Sequence, residues 1–282
     1  MGRVEGKIAV ITGANIGDGG PNIGGATALL LSREGAAVVV ADLPGRGSDR
    51  LAEAILAQGG RALAVDVDLR DVTQIEAMVA AAVERFGGID ILHNNAGLSP
   101  EADTDVASMS ASVWSAVMEV DALGALLVTK HAVAHMIRRG GGSIINTSSI
   151  TAIAGDVIHT SYGMAKAAMC SLAQHVAVQY GRQNIRCNAI CPGLTMTPAA
   201  RQDLPAELVE HFLALTPTPA LSTPEDQANI VLFLASDESR MINGQILRTD
   251  GGMLSQQPWV PAFLAMGSPT YGNDRPDLTI TG

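Results

Sequence analysis

Aromatic residues are scarce. Phe, Trp and Tyr together make up 3% of the 282 residues, too few for the stacking platforms that single-stranded nucleic acid needs. Positive charge is scarce too. The 18 Lys and Arg face 28 Asp and Glu, a net charge of −10, which argues against gripping DNA or RNA by its phosphates. It leaves room for a single nucleotide held by backbone amides. Cysteine is limited to Cys170, Cys187 and Cys191, which is no disulfide framework. If Cys187 and Cys191 share a strand they stand roughly 13 Å apart, too far to bridge, so buried free thiols in a reducing compartment are expected. No apolar run is read as long enough to span a membrane, and MGRVEGKIAVITG enters a strand without a signal peptide. The expectation is a soluble, cytoplasmic protein with neither nucleic acid nor membrane as partner.

Apolar residues and glycine are plentiful, at 47% of the chain and 30 residues, so a large core can be built. KIAVIT, AAVVVAD, ALAVDV, IDILHN, SIINTS, IRCNAI and QILRTD are short Val- and Ile-rich runs, apolar on both faces. Longer amphipathic stretches such as IGGATALLLSREG, VTQIEAMVAAAVERFG and MAKAAMCSLAQHVAVQYG alternate with them. Two-sided strands alternating with helices predict an α/β fold, a single-domain Rossmann-like doubly wound parallel sheet with helices on both faces. Residues 1–254 form the expected domain, with a proline-rich lobe over about 197–224 suited to covering a substrate. Residues 255–282 are a tail, either a clasp or a frayed end.

The stretch TGANIGDGGPNIGG, Thr12 to Gly25, sets six glycines between the first strand and the first helix. There backbone N–H groups and a helix N-terminus can meet a pyrophosphate. Thr12-Gly13-x-x-x-Gly17-x-Gly19 is one register. Asn22-Ile23-Gly24, directly before GGATALLLSREGA, is the other and is favoured, since the helix must sit at a fixed distance from its own C-terminal Gly35. It implies five extra residues within Ala14–Pro21. Asp42, followed by Leu43, ends the second strand, where a carboxylate accepts both hydroxyls of an adenosine ribose. It repels a 2′-phosphate by about 4 kcal/mol at 4 Å and an effective dielectric near 20. NAD rather than NADP is therefore the expected cofactor, with Arg46 and Arg50 close enough to soften the preference.

Tyr162 and Lys166 are four apart and share a helix face. A nearby ammonium favours the phenolate of a tyrosine, and so suits it to exchange a proton with an alcohol or ketone. Ser149, at the end of SIINTS, can hydrogen-bond the substrate oxygen. His93 and His159 are expected to pack or line a pocket rather than act as acid or base. His131 and His135 have zinc-like spacing without a third ligand, so no metal site is expected.

With these residues in view the sequence, from Lys7 to about Met253, resembles the short-chain dehydrogenase/reductase family. The resemblance implies that Tyr162 is the acid/base, that Lys166 tunes it and holds the nicotinamide ribose, and that Ser149 rather than Ser148 positions the carbonyl. It implies cofactor contacts at Gly13, Asn22, Ile23 and Gly24, at Asp66 and Val67 beside the adenine, and at Asn94, Ala96 and Gly97 of NNAG. Pro192, Gly193, Leu194, Thr195 and Thr197 of PGLTMT would hold the carboxamide. A homotetramer, or a homodimer, is implied as well. One departure stands out: Asp121 in MEVDALGALL occupies the place of the family's helix-four asparagine, and a catalytic relay with an altered pH optimum is expected there. The reading is an NAD-dependent oxidoreductase for a secondary alcohol or ketone. Met164, Met196, Ile158 and Trp114 as pocket lining suggest a hydrophobic, alicyclic or steroid-like substrate. The alternatives are a 3-oxoacyl thioester reductase on the same fold and a non-catalytic NAD-binding sensor.

Overall fold

Val and Ile favour the pleated backbone, and here their alternation serves two cores at once. In the computed structural model, which describes residues 2–266, seven strands form one parallel sheet: β1 (Ile8–Thr12), β4 (Ala37–Asp42), β5 (Arg61–Asp66), β6 (Ile91–Asn94), β7 (Gly142–Thr147), β8 (Ile185–Pro192) and β9 (Ile246–Thr249). The spatial order is β5-β4-β1-β6-β7-β8-β9. A short antiparallel pair, β2 (Ile16–Gly17) and β3 (Gly20–Pro21), lies apart from it.

Val10, Val39, Leu92 and Ile144 face one way, against α3 (Val72–Phe86), α5 (Ala125–Arg138) and α6 (Thr160–Tyr180). Their neighbours Ile11, Val38, Val40, Ile91 and Ile145 face the other, against α1 (Ile23–Arg33), α2 (Ser48–Ala57) and α9 (Pro224–Ala235). Period-two alternation in an all-apolar strand thus fills both layers. The expected fold is the one found. The chain order reverses between β4 and β6 on either side of β1, so a crevice opens at the carboxyl ends of β1 and β6, the place where such sheets take their ligands.

The first helix starts in the favoured register; the hairpin before it and a long apolar helix were not expected. α1 begins at Ile23 with Asn22 as its N-cap, and the inserted residues before it fold as the β2–β3 hairpin. α4 (Ala111–Val117) and α5 are joined through one π-helical turn, Met118–Gly124. Together they make one 28-residue helix, Ala111–Arg138, in which an 18-residue window with a mean hydropathy of 1.5 is long and apolar enough to cross a membrane by length and composition. That corrects the expectation that no apolar run reaches this length. The run is so apolar because its inner face, Val117, Val128, Ala132 and Met136, is core, while its outer face carries Leu123 and Leu126, both nearly half exposed. After β8 the chain forms α7 (Pro198–Asp203) and α8 (Ala206–Ala214), and after β9 it forms α10 (Val260–Ala265). The expected tail enters the described region only as far as Met266; residues 267–282 lie outside it.

Candidate active site

The glycine loop is shaped by close approaches. Gly13 has φ +64°, and a Cβ there would stand 2.6 Å from Cα of Ala96. A Cβ at Gly24 would meet the Gly13 carbonyl at 2.7 Å, and one at Gly25 would run into the Asn15 carbonyl. Thr12 and Asn95 lock the loop from the β6 side. Asn95 Nδ2 donates to the Gly13 carbonyl at 2.9 Å, and Asn95 and Ala96 both donate backbone N–H to Thr12 Oγ1. Asn22 takes the third amide of α1, its Oδ1 accepting from Gly25 N–H at 2.8 Å while its Nδ2 donates to the Gly13 carbonyl. The N–H groups of Ile23 and Gly24 make no hydrogen bond among the described residues. Two free amides at the positive end of an eleven-residue helix, beside a backbone with no Cβ in the way, fit a dinucleotide pyrophosphate.

At the neighbouring strand end, Asp42 Oδ1 accepts from Leu43 N–H at 2.7 Å and Oδ2 from Asn15 Nδ2 at 2.6 Å. Asp66 stands opposite Asp42 in the β4–β5 register, so two carboxylates rim this corner. Val67 is buried and donates its N–H to the Asp42 carbonyl. Asn94 turns its side chain inward, donating to Thr129 Oγ1 and Asn146 Oδ1.

The side of the crevice toward Tyr162 is built from side chains. Lys166 is 2% exposed and Asp121 fully buried; Nζ and Oδ2 are 3.0 Å apart. Nζ also donates to the Thr147 carbonyl at 3.2 Å and lies 5.2 Å from the centre of the Tyr162 ring. Burial alone would pull the lysine pKa down. The Asp121 carboxylate, the Tyr162 phenol and the hydrogen bond to Asp121 outweigh it, and the pKa is raised. The π turn is what brings Asp121 in: one extra residue per turn rotates it off the outer face, and its Oδ1 then accepts from Leu98 N–H at 2.7 Å. Gly97 must lack a side chain, because a Cβ there would stand 2.8 Å from Nζ.

Ser148 and Ser149 point different ways. Ser148 is buried, donates to the Lys166 carbonyl at 2.7 Å and touches Cys170 Sγ. Ser149 caps the short turn Ile150–Ala152, which rests on α6 where a Cβ at Gly163 would meet the Thr151 carbonyl at 3.1 Å. That contact sets the turn beside Tyr162. The N-terminus of α6 is held by a residue with no signal in the sequence. Asp103, 1% exposed, accepts from the backbone N–H of Ser161 at 2.9 Å and of Tyr162 at 2.8 Å.

Pro192 ends β8. Gly193 is pressed against Asp250 Cα, and Thr195 is buried and bridges to Ser222 beside Leu194. Thr197 Oγ1 is taken up in capping α7, accepting from Ala200 N–H. Trp114 does not join this region. With Met118, Leu126, Ala168, Leu172 and His175 it lines a groove of about 580 Å³ on the far side of α6; Ala168 is two residues from Lys166 and so points nearly opposite on the helix. His159 sits edge-on to Tyr162, ring centres 6.2 Å apart. His93 is fully buried against Thr147 Oγ1, and burial pushes its pKa down to about 3.

A family model described as enoyl-(acyl carrier protein) reductase matches residues 20–254. The chain belongs to the short-chain dehydrogenase/reductase family. Within that family it is 39% identical over 246 residues to cis-4-hydroxycyclohexanecarboxylate dehydrogenase of Sinomonas cyclohexanicum, covering 87% of this chain and 96% of the relative. It is 33% identical over 261 residues to 7alpha-hydroxysteroid dehydrogenase of Bacteroides fragilis, covering 92% and 99%. It is 36% identical over 252 residues to a 3-oxoacyl-[acyl-carrier-protein] reductase of Thermotoga maritima, covering 89% and 99%. The crystal structure of a short-chain dehydrogenase/reductase from Burkholderia xenovorans superposes with a TM-score of 0.84 at 34% identity, over 91% of this chain and all of that one. As a short-chain dehydrogenase/reductase the chain is an oxidoreductase acting on alcohol or ketone substrates with a nicotinamide cofactor.

Proposed function

We propose that this chain interconverts a hydrophobic, alicyclic secondary alcohol and its ketone with NAD as the hydride partner. The reading is carried by one observation: a buried ammonium, pinned by Asp121 and the Thr147 carbonyl, lies under the ring of Tyr162. When bound, the dinucleotide supplies or accepts the hydride. Tyr162 Oη gives the proton to the carbonyl oxygen in reduction and takes it from the hydroxyl in oxidation. Lys166 sets its positive charge beside the Tyr162 ring, and Ser149 orients the substrate oxygen. Ile23 and Gly24 amides would hold the pyrophosphate. Asp42, fixed by two donors, would hold the adenosine ribose and turn away a 2′-phosphate.

The ring-bearing substrates named for the Sinomonas and Bacteroides relatives support an alicyclic class, as do exposed Ile158 and Met164 near Tyr162 in the chain. The Thermotoga relative favours a second reading, a 3-oxoacyl thioester reductase. The net charge of −10 opposes docking of an acidic carrier. We place the enzyme in the cytoplasm as a homotetramer or homodimer, with the groove around Trp114, Leu123 and Leu126 as the self-association face. The lobe around α7 and α8 would cover the substrate, and Gln256 at the start of the tail already reaches it, donating to the Leu215 carbonyl. Turnover of cyclic alcohols with NAD, compared with 3-oxoacyl thioesters and NADPH, tests the reading: thioester reduction alone would replace it.

A further inference from the structure

The inserted hairpin reaches sideways to two neighbours. Toward the adenosine side, Asn15 Nδ2 holds Asp42 Oδ2 at 2.6 Å, and Ile16 N–H donates to the Gly47 carbonyl just before α2. At its tip, Asp18 Oδ1 accepts from Arg50 Nη1 at 3.0 Å. Toward the other side, a Cβ at Gly19 would stand 3.0 Å from Cβ of Pro198, the first residue of α7. The Arg50 guanidinium lies at the turn between β4 and α2, its Nη2 3.6 Å from where a Gly47 Cβ would be. This is the corner that Asp42 rims. A guanidinium there is the group that would receive a ribose 2′-phosphate.

We propose that the hairpin is a cofactor-selectivity device: Asn15 fixes the Asp42 carboxylate in place, and Asp18 engages Arg50, so that Arg50 is not free to receive a 2′-phosphate. The inference deepens the NAD reading and rests on it. The Asp18 side chain is 99% exposed and that of Arg50 56%, so their pair adds little to folding. Its effect falls on a ligand that brings two further negative charges to the same corner. Removing the Asp18 charge frees Arg50 for that ligand.

The test is calorimetric titration of the full chain with NADH and with NADPH, at low and at physiological salt. The quantity read is the ratio of the two dissociation constants. In Asp18→Asn the ratio of NADPH to NADH constants should fall by about fivefold, more at low salt, and adding Arg50→Ala should abolish that fall. Asn15→Ala should lower the ratio as well, by about twofold, because Asp42 loses its second donor. Thermal unfolding of each variant shows that it is folded. A ratio unmoved by Asp18→Asn, or a fall that persists without Arg50, overturns the inference and leaves the NAD reading standing. Equal affinity for both dinucleotides in the unaltered protein, or no binding of either, overturns the reading and the inference together.

Discussion

On the β1 side of the crevice the chain presents backbone: two free amides, three glycines that admit no Cβ, and one carboxylate held from two directions. On the β7–α6 side it presents side chains, and the decisive ones are buried. Lys166 and Asp121 are almost without solvent, and Asp103 fastens the first turn of α6 from a distant loop. The difference is one of tolerance. A backbone site can accept an insertion such as the β2–β3 hairpin, because the helix restarts on its own cap at Asn22. A site made of buried charges cannot lose a partner without leaving an uncompensated charge.

The largest effect that sharpens this contrast belongs to Tyr162→Phe. It removes the proposed proton carrier and leaves the backbone side intact. kcat should fall about a thousandfold while NADH affinity, measured by titration, changes little. Gly13→Ala strikes the other side. It forces a side chain into a left-handed position and against Ala96, at a cost of about 2–4 kcal/mol. NADH binding and the unfolding midpoint should drop together, and a variant that binds normally would show that the loop relaxes more freely than these contacts allow.

Asp121→Asn should move the pH–rate profile. The carboxylate now offsets part of the ammonium's field at Tyr162 and holds Lys166 charged against burial. Without it, the alkaline limb of the oxidation profile, where Lys166 loses its charge, should shift to lower pH. An unmoved profile would make Asp121 a structural substitute and nothing more. The last effect, at His93, falls on stability in acid rather than on rate or cofactor binding. An unfolded histidine takes up a proton below about pH 6.5, but folded His93 resists until about 3. Its contribution is whole above 6.5 and is lost as the pH falls toward 3, by about 1.4 kcal/mol per unit. His93→Gln should flatten the decline in stability, followed by denaturant unfolding, across that window.

Much of this was legible in residue order. Alternation in Val38–Val39–Val40 and Ile144–Ile145 announced a two-sided sheet, and Gly35 fixed where the first helix had to end, hence the register at Asn22. Other features had no local signature. The hairpin strands are two residues each, too short for any period to show. The π turn at Asp121 depends on what it packs against, since Gly124 must clear Leu69. Asp103 is 58 residues from Ser161, so its role as a cap exists only after folding. The apolar character of Trp114 was plain, but its side of the helix bundle was not.

The most direct test of the central claim follows nicotinamide absorbance while the full chain oxidises a cyclic secondary alcohol, such as cis-4-hydroxycyclohexanecarboxylate, with NAD, the unaltered protein beside Tyr162→Phe. The account predicts steady formation of NADH that disappears in the variant, although the variant still binds NADH. Equal turnover in both proteins would contradict it, because the proton would then be moved by a group other than Tyr162.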